Sequence, residues 1–228
     1  MLYPVLNLIV SLFMLLNGTN PSVDMQDQRK TYLALGDSYT IGESVSESER
    51  WPVQLAATLT EKGISMATPK IIARTGWRTD ELKAAIEADK DLAESYDMVS
   101  LLIGVNNQYQ GKSVESFAPE FEELLQMAIK LAGEDASSVF VVSIPDYGKT
   151  PFGAAKEKQI EKELNAYNKV SKEICKKYKV RYFNITHGSR RAKQDPELVA
   201  KDKLHPSGKM YREWTDAVRR YAHKIVKK

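Results

Sequence analysis

The stretch Tyr32-Leu33-Ala34-Leu35-Gly36-Asp37-Ser38-Tyr39-Thr40 decides the fold. Its first four residues form a short run with no polar alternation, as expected of a strand buried on both faces of a parallel sheet. Gly36 ends the run, and Asp37-Ser38 place polar groups where the chain must turn. Four further runs of this kind follow: Lys70-Ile71-Ile72-Ala73, Met98 to Ile103, Val139 to Ile144 and Val180 to Ile185. Period alone does not separate such runs from buried helix; their length and neighbours do.

Between the runs the apolar residues take helical spacing. Trp51-Pro52 opens one helix, with Val53, Ala56 and Leu59 on a face. Thr79 is placed to cap the next, with Asp80 and Glu81 in its first turn. Phe117, Phe121, Leu124, Ala128 and Leu131 mark a third, and Ile160, Leu164, Tyr167, Val170 (or Ser171), Ile174 and Tyr178 a fourth. Met210, Trp214, Ala217, Tyr221 and Ile225 mark the last. Strands each followed by a helix predict an α/β protein, a three-layer αβα sandwich with right-handed crossovers.

The chain has 228 residues, enough for one domain with a sizeable core, and its 43% hydrophobic and 28% charged content is ordinary for a globular protein. A net charge of +3 is too small to imply a nucleic-acid partner. The single cysteine, Cys175, excludes an internal disulfide and falls on an apolar helix side, where a buried thiol is expected. No Cys/His spacing resembles a zinc site, so no metal or cofactor is expected. Met1 to Leu16 carries no charge and is shorter than a bilayer span. Residues 1–18 therefore read as a signal peptide of an exported protein, with an uncleaved membrane anchor as the alternative. Residues 19–30 read as a linker and 31–228 as the folded domain.

In open α/β sheets, ligands bind beyond the carboxyl ends of the strands. Those ends carry Ser38, then Gly76 in Arg74-Thr75-Gly76-Trp77, then Asn106 in Gly104-Val105-Asn106-Asn107, and finally Asp202-Lys203-Leu204-His205. A hydroxyl, a glycine amide, an amide side chain and an Asp/His pair thus converge on one edge. Gly-Asp-Ser alone arises by chance in about one chain in twenty of this length; its place after the first strand gives it weight. A serine hydroxyl needs a base to become a nucleophile, and histidine suits that task. Of three histidines, His223 sits in the basic last helix and His187 follows the fifth strand as a rim residue. His205 has Asp202 three residues before it, able to fix its tautomer. Ser38, Asp202 and His205 are the expected triad. The N–H groups of Ser38 and Gly76 and the Asn106 side chain are the expected oxyanion donors.

In order, Gly36-Asp37-Ser38, Gly76, Gly104-x-Asn106 and Asp202-x-x-His205 resemble the four sequence blocks of the SGNH (GDSL) hydrolases. The resemblance runs from about Thr31 to Ala222 and extends to Gly76-Trp77-x-Thr79-x-x-Leu82 and Asp202-x-Leu204-His205-Pro206-Ser207-Gly208. One departure is Asn107, where many members have Asp. The resemblance implies a flavodoxin-like parallel sheet of order 2-1-3-4-5 and ester hydrolysis without metal. It implies the same triad and oxyanion set. A short-chain acyl ester, such as an acetyl group on a carbohydrate, is the expected substrate. A lysophospholipase or thioesterase acting on longer chains is the alternative, and a carbohydrate-binding relic of the fold a third.

Overall fold

The computed structural model describes residues 29–228. The expected signal peptide and most of the expected linker lie outside the described residues. Lys30, at the end of that linker, is already tied to the body: its ammonium meets Asp97 at 2.8 Å and its N–H donates to the Ser65 carbonyl at 2.7 Å.

The elements in chain order are β1 (Tyr32–Gly36), α1 (Ser38–Ile41), α2 (Trp51–Glu61), β2 (Lys70–Ala73), α3 (Thr79–Ala88), β3 (Met98–Leu102) and α4 (Val105–Tyr109). They continue with α5 (Val114–Leu131), β4 (Val139–Val142), α6 (Glu157–Lys177), β5 (Arg181–Phe183), α7 (Thr186–Ser189) and α8 (Gly208–Val226). The strands form one parallel sheet in the order β2-β1-β3-β4-β5. Helix α2 packs on α8, and α5 packs on α3 and α6, which gives the expected sandwich.

Every residue of β1, β3 and β4 is buried, as their mostly apolar runs require; the one polar side chain, Ser100 of β3, is met by the Tyr32 hydroxyl at 2.8 Å. The outer strands differ. Each has a neighbour on one side only, so β2 admits Lys70, which pairs with Asp89, and β5 admits the exposed Arg181. In α8 the buried stripe is Met210, Trp214, Val218, Ala222 and Ile225, not the expected Ala217 and Tyr221. Steps of three and four both keep a helix face, so spacing alone did not choose between them. Cys175 is buried, as expected.

Candidate active site

Beyond Gly36 the chain folds at once into α1. Asp37 caps it, its Oδ1 accepting the Tyr39 N–H at 3.0 Å, and Ser38 is the first helical residue. Gly36 is required by sterics: a Cβ there would lie 2.2 Å from Thr40 Oγ1 and 2.5 Å from the Leu102 carbonyl oxygen. Gly76 is required by conformation, with φ of 88° in a tight turn. A Cβ at Gly76 would meet nothing within 4 Å, so its backbone stands at open space.

Ser38, Gly76, Asn106 and His205 line one cleft of about 180 Å³, together with Tyr39, Thr75, Val105, Tyr109, Tyr147, Phe152 and Leu204. Asp202 stands behind His205, its Oδ2 2.5 Å from His205 Nδ1. Its Oδ1 accepts the N–H groups of Leu204 and His205, each at 3.0 Å, and its Oδ2 also accepts the Ser44 hydroxyl at 2.7 Å. Partial burial alone would raise this carboxyl; the hydrogen bonds from His205, Leu204 and Ser44 outweigh it and hold it at about 2. Asp202 is therefore ionised at neutral pH. The His205 ring is buried, edge-on to Tyr39 at 5.6 Å. With Nδ1 engaged by a carboxylate, Nε2 is the nitrogen left for the cleft. No hydrogen bond joins it to Ser38 Oγ; the two residues line the same cleft.

The Asn106 amide donates to the Trp77 carbonyl at 2.9 Å, which fixes the side chain and leaves its second N–H hydrogen uncommitted. Asn107 does a different job. It is buried, its Oδ1 accepts the Thr79 N–H at 3.1 Å, and its Nδ2 donates to the Thr79 hydroxyl at 2.6 Å. Thr79 is consequently not the cap of α3: that place falls to Arg78, whose N–H donates to Glu81 Oε2 at 3.0 Å. His187, expected at the rim, is exposed on α7 and does not line the cleft. Sequence reading missed the cleft walls Tyr109, Tyr147, Phe152 and Leu204, and it missed Ser44. Leu204 lies within the quoted last block but was given no role, no motif marks the others, and Ser44 meets Asp202 across 158 positions. Among the described residues, no group of three or more His, Cys, Asp or Glu is arranged to hold a metal ion.

A parallel αβα sandwich of this strand order, with these four blocks meeting at the sheet's carboxyl edge, is an SGNH hydrolase fold. The chain belongs to the GDSL-like lipase/acylhydrolase family, whose model matches residues 34–213, and it is a carboxylic-ester hydrolase. Solved structures share the fold at low identity. TesA is 16% identical with a TM-score of 0.68, covering 86% of this chain and 99% of its own. A lipase/acylhydrolase from Enterococcus faecalis is 16% identical with a TM-score of 0.68, covering 86% and 96%. A mutant of an acetyl-xylooligosaccharide esterase from Geobacillus Stearmophilus is 16% identical with a TM-score of 0.65, covering 85% and 94%. No curated protein matches the chain.

Two outcomes follow from these contacts. Asn107→Ala leaves the buried Thr79 N–H without its partner, while the Thr79 hydroxyl keeps Glu120, and should cost about 1–3 kcal/mol of stability in chemical denaturation. Asn106→Ala should cost clearly less. Burial pushes the Asp37 carboxyl up to about 7, against the pull of the Tyr39 N–H. Its folded value lies above its unfolded one, so its contribution is intact below about pH 4 and is lost as pH rises toward 7. Stability of Asp37→Asn measured from pH 4 to 8 should lack this decline, on the order of a few kcal/mol; an unchanged slope would refute the assignment.

Proposed function

We propose that the chain removes short acyl groups, acetyl above all, from carbohydrate esters through an acyl-Ser38 intermediate. The observation that carries this is the cleft itself. It gathers Ser38, His205, Gly76 and Asn106 around a small space, and its outer wall is two exposed aromatic rings. Tyr109 is 60% exposed and Phe152 50%, with ring centroids 6.3 Å apart. An acetyl group needs only the small inner space, while flat apolar rings at the mouth suit the face of a sugar. The fold neighbour that is an acetyl-xylooligosaccharide esterase supports the same reading.

In this mechanism Ser38 Oγ attacks the ester carbonyl as His205 Nε2 takes its proton. Asp202 holds the ring in the tautomer with hydrogen on Nδ1 and stabilises the imidazolium that forms. The developing oxyanion is met by the N–H groups of Ser38 and Gly76 and by the uncommitted Asn106 hydrogen. His205 returns the proton to the leaving alcohol, and the same base then activates water to release the acid.

A second reading takes longer acyl chains, as in a lysophospholipase or thioesterase. A groove of about 590 Å³ favours it, because it shares Tyr109, Tyr147 and Phe152 with the cleft and continues along Val114 and Ile160. The uncharged run Met1 to Leu16 supports export, by a cleaved signal peptide or a retained anchor.

The test is a rate profile on nitrophenyl esters from two to twelve carbons, alongside acetylated xylo-oligosaccharide and lysophospholipid. The short-chain reading expects kcat/KM to fall beyond about four carbons, and a steady rise would contradict it. On the best ester, Asn106→Ala should lose about a hundred- to a thousandfold in kcat with KM little changed. A rise in KM at constant kcat would mean that Asn106 only binds substrate.

A further inference from the structure

We propose that Ser44 is a positioning residue for Asp202, and that the dipeptide Glu43-Ser44 clips the two loops that complete the site onto the nucleophile helix. The proposal rests on reading Asp202 and His205 as the orienting acid and the base.

The segment leaves α1 by a constrained route. Gly42 and Glu43 both donate their N–H to the Ser38 carbonyl at 3.0 Å, and Gly42 takes φ of 72°. Ser44 then takes φ of 66°, a left-handed conformation that costs a residue with a Cβ. Glycine would adopt it freely, yet a hydroxyl stands there, and it donates to Asp202 Oδ2 at 2.7 Å. That oxygen is the one facing His205 Nδ1. Two backbone N–H groups hold Oδ1, so the hydroxyl supplies the hold that Oδ2 would otherwise draw from the imidazole alone. One residue earlier, Glu43 Oε2 accepts the hydroxyl of Thr75, the neighbour of Gly76. Adjacent side chains thus reach the triad loop and the oxyanion turn. Ser44 is exposed, so its hydroxyl fills no place in the core.

The experiment uses Ser44→Gly, which keeps the left-handed backbone without strain and removes the hydroxyl with its exposed Cβ. On a nitrophenyl ester, kcat should fall about tenfold, the loss expected for one hydrogen bond to a charged group, with KM within about twofold. The thermal midpoint should not fall. In an Asp202→Ala background the same change should cost nothing more, because there is no carboxylate left to position. Glu43→Ala, which touches Thr75 instead, should cost the same factor in both backgrounds. Wild-type kcat in Ser44→Gly would overturn the proposal, and so would an undiminished loss in the Asp202→Ala background. Wild-type turnover in Asp202→Ala alone would overturn the triad reading itself, and this one with it.

Discussion

Gly36 pairs with Ala73 on one side and with Leu102 on the other, so β2, β1 and β3 end level. The loops that follow them start from one line and present Ser38, Gly76 and Asn106 to one cleft. A slip of one residue in β1 would turn every buried side chain of that strand to the opposite face. Complete burial of Tyr32 to Leu35 on both sides of the sheet forbids it. The same level pairing explains why Gly36 must be glycine: the Leu102 carbonyl and the first turn of α1 close over it. The packing of the sheet and the placement of the cleft residues are one constraint.

The site places polar groups where they are costly. Asp37 is buried with one oxygen lacking a partner among the described residues, and its carboxyl is pushed up accordingly. Ser44 and Lys203 hold left-handed backbone on either side of the Ser44–Asp202 contact. Such strain persists where surrounding structure over-determines it. Here the surroundings are α1, anchored to the sheet, and the loop between Ala200 and His205, closed by the Ala200 N–H donating to the His205 carbonyl at 2.8 Å.

The fold was legible because burial on both faces leaves short apolar runs whose length and neighbours set them apart from helix, and the three inner strands follow that rule but for Ser100. The outer strands were legible in place but not in character, since Lys70 and Arg181 reflect an edge that only topology reveals. Of the candidate site, the sequence marked the hydroxyl, imidazole, glycine and amide side chain that line one cleft, and the carboxylate bonded to that imidazole. Their supports went unmarked. Ser44 looks like any loop serine. Thr79 has the composition of a cap, but its N–H and hydroxyl are taken by Asn107 and Glu120, from distant parts of the chain. Asn107 departs from the common family residue, and its pinning of Thr79 emerges only in three dimensions. Local rules fail there because long-range partners outbid local ones.

The central claim is that Ser38 becomes covalently acylated, with His205 as its base. Trapping the intermediate's analogue tests it most directly: incubation of the whole protein with a fluorophosphonate, followed by intact mass and peptide mapping. The account expects one adduct per chain, on the peptide carrying Ser38, with labelling abolished by Ser38→Ala and slowed by at least about a hundredfold in His205→Ala. A stoichiometric adduct on another residue, or continued ester turnover with Ser38 unlabelled, would contradict it.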